Sequence, residues 1–160
     1  MAKADAKKVI DLLNEARAQE LGAILQYMAQ HYELEDADFG KLAKVLKDTA
    51  IVEMKHAEKL AERILFLGGT PTSKPDGLAK KGETIPQMLA TDIGLEAGAV
   101  RLYNESALAC AQARDQVSKD IFEELLADEE DHLDTFQNIA DHVKQLGEAY
   151  LATLAGGAAE

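Results

Sequence analysis

Glu53-Met-Lys-His56 is followed 76 residues later by Glu129-Glu-Asp-His132, and these two short stretches decide the fold of the chain. A single glutamate precedes each stretch by 33 residues, Glu20 in the first half and Glu96 in the second. Because residues i and i+3 project from one helix face, each Glu-x-x-His pair can reach a metal ion at one level. Two lone glutamates with two such pairs are the ligand set of a dinuclear carboxylate site in a four-helix bundle.

The repeat extends beyond these residues. The segment from Glu20 to Tyr27 aligns with the segment from Glu96 to Tyr103, and both keep Glu, Gly, Ala and Tyr at the same positions. A single Glu-x-x-His match carries little information in a chain rich in glutamate, but two matches at one offset indicate a duplicated unit. The sequence therefore predicts two similar halves, each made of two helices.

Apolar residues recur every three or four positions along four long segments, which predicts four long helices. These span about 5–34, 39–67, 84–112 and 117–146, and a short helix is predicted at about 148–154. Gly68, Gly69 and Pro71 end the second helix, and Thr84 can cap the third.

The connection between the two halves is long enough to cross the bundle. Its sixteen residues, 68–83, reach roughly 50 Å when extended at about 3.3 Å per residue. A helix of about 28 residues is roughly 42 Å long. The predicted fold class is therefore all-α: a four-helix bundle with one long crossover connection and a short C-terminal fifth helix.

Composition limits the remaining choices. The 160 residues fit a single domain, 1–160, without tryptophan and with a formal charge of −12 that disfavours nucleic acid as a partner. No apolar run approaches the length of a membrane span, and the first residues lack the apolar core of a signal peptide. We therefore expect no membrane association. The chain has a single cysteine, Cys110, and cannot form an internal disulfide, so we also expect a reducing cytoplasm.

The four repeated glutamates fall within apolar helix stripes. Carboxylates that share a dry core cost several kcal/mol each unless they are neutralised, and two divalent metal ions would supply four positive charges. Carboxylate-rich ligation with one imidazole per metal suits iron or manganese better than zinc or copper. The predicted ligands, which would also be the catalytic residues, are Glu20, Glu53, His56, Glu96, Glu129 and His132.

Symmetry suggests a role for each ligand. The glutamates of the Glu-x-x-His pairs, Glu53 and Glu129, should bridge two iron ions. Glu20 with His56 would complete one ion, and Glu96 with His132 would complete the other.

Four further residues are candidates for supporting the ligands. Tyr27 and Tyr103 lie two helical turns beyond the lone glutamates, where they could donate hydrogen bonds, act as radical sources or serve only as core tyrosines. Asp92 and Asp128 are candidates to orient the ligating imidazoles, although Asp128 could equally lie at the surface.

The chain resembles the bacterioferritins. The resemblance is carried by residues 14–32, by Val52-Glu-Met-Lys-His-Ala-Glu58 with the segment 61–69, and by Asp128-Glu-Glu-Asp-His-Leu-Asp134, and it extends over nearly the whole chain. It implies a ferritin-like bundle and a 24-subunit hollow shell built of dimers. It also implies oxidation of Fe(II) by oxygen or hydrogen peroxide at the two-iron site, storage of ferric mineral inside, and a ferredoxin-type electron donor.

The same resemblance implies a haem site. Met54 matches the methionine through which pairs of bacterioferritin subunits bind one haem, of b type or related, per two subunits. There is one departure from the family pattern. Some bacterioferritins hold an additional iron on the inner surface through a histidine and an aspartate, where this chain has Asp48 and Val52. Valine cannot bind a metal, which puts that site and the route of iron into the cavity in question.

Proteins of four further classes share parts of this pattern. A rubrerythrin-like peroxidase has the same repeated ligands but usually carries a second iron site that needs four cysteines. A haem-free ferritin also fits, and a Dps-like protein fits less well because its site lies between subunits with different ligand spacing. A helical assembly protein with a vestigial metal site is the non-enzymatic alternative.

Overall fold

The computed structural model describes residues 3–157, and within them the chain forms five helices and no strand. These are α1 (Lys3–Asp36), α2 (Gly40–Phe66), α3 (Ile85–Gln112), α4 (Gln116–Leu146) and α5 (Glu148–Leu154). The predicted all-α bundle with a short fifth helix is confirmed, and the bounds of its helices differ from the predicted ones by two residues at most. The predicted domain, 1–160, also includes residues 1–2 and 158–160, which lie outside the described residues.

The duplication extends to the turns that join the helices of each half. Asp38, after α1, and Arg114, after α3, both adopt a positive φ, of 61° and 59°. The next residue in each turn, Phe39 or Asp115, donates its backbone N–H to the carbonyl five residues earlier. This is the left-handed helix ending that satisfies the last carbonyls of a helix. Each half is therefore an α-helical hairpin closed by the same turn.

Helix starts are less symmetric. Asp115 caps α4 by accepting from the Ser118 N–H at 3.1 Å, and Thr84 begins α3 with a capping box completed by Gln87. By contrast, Phe39 occupies the cap position of α2 and makes no side-chain hydrogen bond there.

The crossover between α2 and α3 is tied along α1. The side chains of Asn14 and Arg17 bind the backbone of residues 70–72, those of Gln26 and Glu33 bind the backbone at residues 80 and 82, and the Asp76 N–H donates to the Ala18 carbonyl at 3.0 Å. The crossover therefore runs in the same direction as α1 for most of its length. It starts α3 at the far end of α1, so that α1 and α3 are antiparallel.

The core consists of two apolar clusters separated by a polar layer. One cluster is centred on Tyr103 and Phe122, and the other is centred on Tyr27 and Phe136. Partly buried residues of α5 pack against the second cluster, and the Gly156 N–H donates to the Asp38 carbonyl at 2.7 Å. The apolar residues of every long helix thus continue on both sides of one level that is lined by carboxylates and imidazoles.

None of the helices in the described part of the chain is long and apolar enough to cross a membrane.

Candidate metal centre

The six predicted ligands meet in the polar layer between the two apolar clusters. Two groups of side chains each place one ligand atom per residue within 4.8 Å of one another. One group contains Glu20, Glu53, His56 and Glu129, and the other contains Glu53, Glu96, Glu129 and His132. All four glutamates are at most 3% exposed. Glu53 and Glu129 belong to both groups, as expected of ligands shared by two ions.

The two shared carboxylates each turn one oxygen toward each imidazole. His56 Nδ1 lies 2.9 Å from Glu53 Oε2 and 3.0 Å from Glu129 Oε1. His132 Nδ1 lies 2.9 Å from Glu53 Oε1 and 3.4 Å from Glu129 Oε2. The lone glutamates are farther away, with Glu20 at 3.5 Å from His56 and Glu96 at 3.8 Å from His132. The arrangement repeats the two-fold symmetry of the sequence at atomic level.

Several of these atoms have no hydrogen-bond partner in the described structure. Both oxygens of Glu53, one oxygen of Glu129, and the Nδ1 atoms of His56 and His132 are buried without a correctly oriented donor or acceptor. Buried polar atoms are normally satisfied, so a cluster of unsatisfied ones marks a missing interaction. Carboxylate oxygens and imidazole nitrogens converging on two points fit two metal ions of the iron or manganese class.

Two tyrosines hold the lone glutamates from the opposite half of the molecule. The Tyr27 hydroxyl of α1 donates to Glu96 of α3, and the Tyr103 hydroxyl of α3 donates to Glu20 of α1. Side chains on a helix tilt toward its N-terminus, so each tyrosine reaches back to the glutamate level although its Cα is roughly 10 Å along the axis. Both tyrosines are fully buried, and their predicted contact with the ligands is observed across helices.

Burial and close contacts determine the charge of this cluster without metal. Burial raises the pKa of Glu20 well above its usual value and raises the pKa of Glu96 to about 11, with the neighbouring carboxylates adding to both effects. Burial would also raise the pKa of Glu129, but the adjacent imidazoles of His132 and His56 bring it down to about 2. Without metal, Glu96 therefore carries a proton at neutral pH while Glu129 is ionised, and burial favours the protonated form of Glu20 as well.

The imidazoles show the complementary behaviour. Burial would lower the pKa of His132, but the carboxylates of Glu129 and Glu53 raise it to about 10. His56, in contact with Glu129, Glu20 and Glu53, also has a pKa far above its usual value despite its burial. In the metal-free core, protons on the imidazoles and on Glu96 therefore offset part of the negative charge, and two metal ions would displace them.

The two aspartates predicted to orient the imidazoles have different surroundings. Asp128 Oδ2 lies 3.0 Å from His56 Nε2, and an Nε2–H donated to it leaves the Nδ1 lone pair free for a metal. Asp92 does not reach an imidazole: it is fully buried beside Gln30, and burial raises its pKa to about 8. The predicted orienting role of Asp92 is therefore not supported, because helical periodicity placed it in the core without showing which helix it faces.

Met54 lies on the opposite side of α2 from the ligands. Its side chain is 54% exposed, and it lines a surface groove of about 380 Å³ with apolar residues of α1 and small residues of α2. The groove residues include Leu21, Ile24, Ala57 and Ala61. An accessible thioether on an apolar face fits the predicted flat ligand.

Asp48 and Val52 lie one turn apart on α2 and line different grooves. Asp48 pairs with Lys44 in a groove near His31. Val52 lines a cavity of about 450 Å³ between α2 and α4, together with Asp128, Asp131 and the two histidines predicted to be ligands. Position 52 corresponds to Asp128 in the repeat, so the carboxylate that contacts His56 has no counterpart at the equivalent position near His132.

The sequence did not single out two residues of this region. Gln30 is 1% exposed, with both side-chain polar atoms unsatisfied, beside Asp92. Asp76 of the crossover lines the cavity that contains the four glutamates. The one sequence signal that could have identified Gln30 is its position as a polar residue on an apolar stripe. The irregular crossover, which contains Asp76, has no periodic signal.

Comparison with known proteins places these features in a family. The ferritin-like domain model matches residues 10–146. The bacterioferritin of Desulfovibrio desulfuricans is 44% identical over 149 residues, covering 93% of this chain and 83% of the relative. The bacterioferritin of Rhodobacter capsulatus is 40% identical over 152 residues, covering 95% of this chain and 94% of the relative.

Solved structures agree with the sequence comparison. The crystal structure of the Desulfovibrio desulfuricans bacterioferritin, described with its di-iron site in different catalytic states, superposes with a TM-score of 0.93 at 42% identity. The superposition covers 98% of this chain and 95% of the Desulfovibrio desulfuricans chain. The Rhodobacter capsulatus bacterioferritin, described with a metal-free dinuclear site and haem iron, gives a TM-score of 0.88 at 38% identity and covers 96% of each chain. The duplicated bundle and these similarities together show that the chain belongs to the ferritin-like family and, within it, to the bacterioferritins.

Proposed function

We propose that this bacterioferritin stores iron by oxidising Fe(II) at the dinuclear centre and depositing ferric mineral inside a hollow shell. The observation that carries the proposal is the pair of overlapping ligand groups that share Glu53 and Glu129. Several of their atoms are buried without hydrogen-bond partners, which fits two metal ions between them. Six residues would act as both ligands and catalytic groups: Glu20, Glu53, His56, Glu96, Glu129 and His132.

The chemistry at the centre is a transfer of electrons from iron. Two Fe(II) ions held together supply the two electrons that reduce one oxygen molecule to peroxide, or one hydrogen peroxide to water. The protein's own part is positioning: Glu53 and Glu129 would hold both ions, while Glu20 with His56 and Glu96 with His132 would complete the two sides. Tyr27 and Tyr103 fix the carboxylates of Glu96 and Glu20 through their hydroxyl groups.

The surroundings exclude water from the two ends of the centre. Buried aromatic and aliphatic residues pack above and below the ligand layer, and Phe122 and Phe136 contact the two tyrosines. A low-dielectric surrounding strengthens the attraction between carboxylates and a dipositive ion. Divalent ions should therefore be attracted strongly to the carboxylates of this layer.

A haem is proposed at Met54. The exposed thioether lies in a groove floored by small and apolar residues of α1 and α2, which suits a flat iron porphyrin. A two-fold axis through the groove would bring the Met54 of a second subunit to the opposite face. One haem, of b type or related, would then be bound per two subunits.

The remaining features of the proposal come from the family. We infer a shell of 24 subunits built from dimers, a reducing cytoplasmic location, and a ferredoxin-type donor for iron release. The buried Cys110, whose pKa burial raises to about 11, is an unreactive thiol compatible with that location.

An anaerobic Fe(II) titration followed by admission of oxygen tests the oxidase. Two Fe(II) per subunit should bind before oxygen is added, and the absorbance of ferric oxo species should then rise with that stoichiometry. Native mass measurement tests the shell in parallel. A protein that binds no iron and forms a small helical oligomer would instead be an assembly protein with a vestigial site.

The same titration distinguishes iron storage in a haem-binding shell from two related functions. Oxidation by hydrogen peroxide alone, without mineral growth on further additions of iron, would favour a rubrerythrin-like peroxidase. A shell that oxidises and stores iron but shows no Soret band after haem reconstitution would be a haem-free ferritin.

A further inference from the structure

A cavity of about 220 Å³ joins the ligand cluster to the protein surface between α1 and α3. Its inner part is lined by the four buried glutamates and both tyrosines, and its outer part by Gly94, Gly98 and Asp76. Gly94 and Asp76 are exposed, whereas the glutamates are almost completely buried. Glu53 lines this cavity, and neither of its carboxylate oxygens has a hydrogen-bond partner. The cavity is therefore a path by which a cation in solvent can approach the ligands.

Asp76 is the carboxylate in this cavity that does not belong to the ligand cluster. The crossover holds it at the level of the ligands, because its backbone N–H donates to Ala18, two residues before Glu20, at 3.0 Å. Its side-chain oxygen Oδ1 rests against Gly22 so closely that a Cβ at position 22 would overlap with it. The absence of a side chain at Gly22 thus creates the space that Asp76 occupies.

The equivalent position in the second half of the repeat has no such close neighbour. Gly98 corresponds to Gly22 in the second half, and a Cβ there would meet no atom closer than 4.0 Å. The crossover covers the α1 side of the cavity and leaves the α3 side open. Asp76 therefore breaks the two-fold symmetry of the centre and gives one side of the cavity mouth a negative charge.

We propose that Asp76 captures Fe(II) at the mouth of this cavity and transfers it to Glu20 and Glu96. The inference rests on the proposed iron-oxidising function and adds an uptake residue to it. An exposed carboxylate attracts a hydrated dipositive ion but binds it weakly, because water competes for both partners. The buried oxygens of Glu53 and Glu129 bind more strongly, so an ion moves inward along a gradient of affinity.

The test compares rates of metal uptake, with Asp76→Asn as the main variant. Asparagine keeps the size and the backbone hydrogen bond of the segment and removes only the charge. Asp36→Asn is the matched control, since it makes the same change at the exposed end of α1, roughly 24 Å from Glu20 along the helix. The probe is Co(II), mixed anaerobically and followed by its visible absorption, which requires no oxidation.

Asp76→Asn should slow Co(II) association about three- to tenfold at low ionic strength and leave the final occupancy of two ions per subunit unchanged. The difference should shrink as salt is raised, because screening weakens steering by a surface charge. With Fe(II) and oxygen, the rate at low iron should fall, whereas the limiting rate at saturating iron should not. Asp36→Asn should match the unmodified protein in all three measurements.

A second variant tests the geometry. Gly22→Ala should displace the Asp76 carboxylate and slow Co(II) uptake, but should have no added effect in a chain that already carries Asp76→Asn. Equal association rates for Asp76→Asn and the unmodified protein would overturn the role of Asp76. Unmodified protein that binds two Co(II) without oxidising iron would instead refute the proposed function, and the comparison of uptake rates would still decide the role of Asp76.

Discussion

Glu129 shows how one residue can serve two states of the same centre. Without metal it is an ionised carboxylate between two imidazoles, with its pKa lowered to about 2. With metal it would bridge two cations. From the sequence alone, removing one of four clustered glutamates is expected to relieve the repulsion between their carboxylates. The contacts suggest the opposite, because Glu129 is the partner that both imidazoles share.

We therefore expect Glu129→Gln to weaken both states. Loss of a bridging ligand should reduce rapid Fe(II) oxidation by at least about 100-fold. Without metal, the variant should be about 1 to 3 kcal/mol less stable at pH 7, since two buried imidazoles lose the ionised carboxylate that lies between them. Stopped-flow absorbance and chemical unfolding measure the two effects. The exposed neighbour provides the control, Glu130→Gln, and normal oxidation by Glu129→Gln would remove the bridging assignment.

Met54 allows a prediction that separates haem binding from iron oxidation. Met54→Leu keeps the approximate volume but cannot supply a thioether, and its packing cost should stay below about 1.5 kcal/mol. We expect the variant to assemble, to oxidise Fe(II) normally and to lose its Soret band. Met28→Leu is the control, because Met28 packs against the core instead of lining the groove. Retention of bis-methionine haem spectra by Met54→Leu would place the ligand elsewhere.

At the scale of the helices, the two equivalent glycines of α1 and α3 should respond differently to alanine. Gly98→Ala enters open space and should stabilise the metal-free protein by about 0.5 to 1 kcal/mol through helix propensity. Gly22→Ala has the same intrinsic gain but must move Asp76, so its net gain should be smaller. Chemical unfolding of both variants measures the difference. Equal gains would mean that Asp76 is not held against Gly22 in solution.

The helices and the meeting of the six candidate ligands could be predicted from sequence because both depend on periodicity. The apolar stripes of α1 and α3, which carry Glu20 and Glu96, show which face of each helix is buried. The equal sequence offsets within the two hairpins show that these residues meet at one level. Partners across helices could not be read in this way. The stripe placed Asp92 in the core, but only the packing shows that it lies beside Gln30 and away from the imidazoles.

The crossover carries even less information in its sequence. Its length predicted that it crosses the bundle, but its irregular backbone has no repeating face from which the position of Asp76 could be inferred. The side chains of α1 fix its path by binding its backbone at several levels. Such contacts depend on side-chain to backbone pairing, which leaves no pattern in the sequence.

At the scale of the whole molecule, proton balance predicts how stability depends on pH. The pKa of Glu96, about 11, and that of His132, about 10, are both raised above their values in an unfolded chain. Between about pH 5 and 10 the folded, metal-free protein therefore binds protons that the unfolded chain has released, and its stability falls as pH rises. Glu129, with its lowered pKa, acts in the opposite direction only in acid, below its usual value.

We expect the Tm of the metal-free protein to fall between pH 6 and pH 9, and that of the Co(II)-loaded protein to change much less. Metal displaces the same protons, so binding should release protons and become tighter as pH rises. Thermal unfolding with and without chelator measures the first effect, and calorimetry in two buffers of different ionisation enthalpy measures the second. A metal-free Tm that rises over this range would contradict the assigned protonation states.

The division into two hairpins has a consequence for the order in which the chain folds. Most helix contacts lie within the α1–α2 and α3–α4 hairpins, and far fewer join α1 to α3. Each hairpin is local in sequence and can form quickly, whereas docking one on the other must wait for the long crossover to close. The ligand layer is then the last part to be completed. Metal would hold the docked hairpins together, so amide exchange along the contact between α1 and α3 should slow most when the centre is loaded.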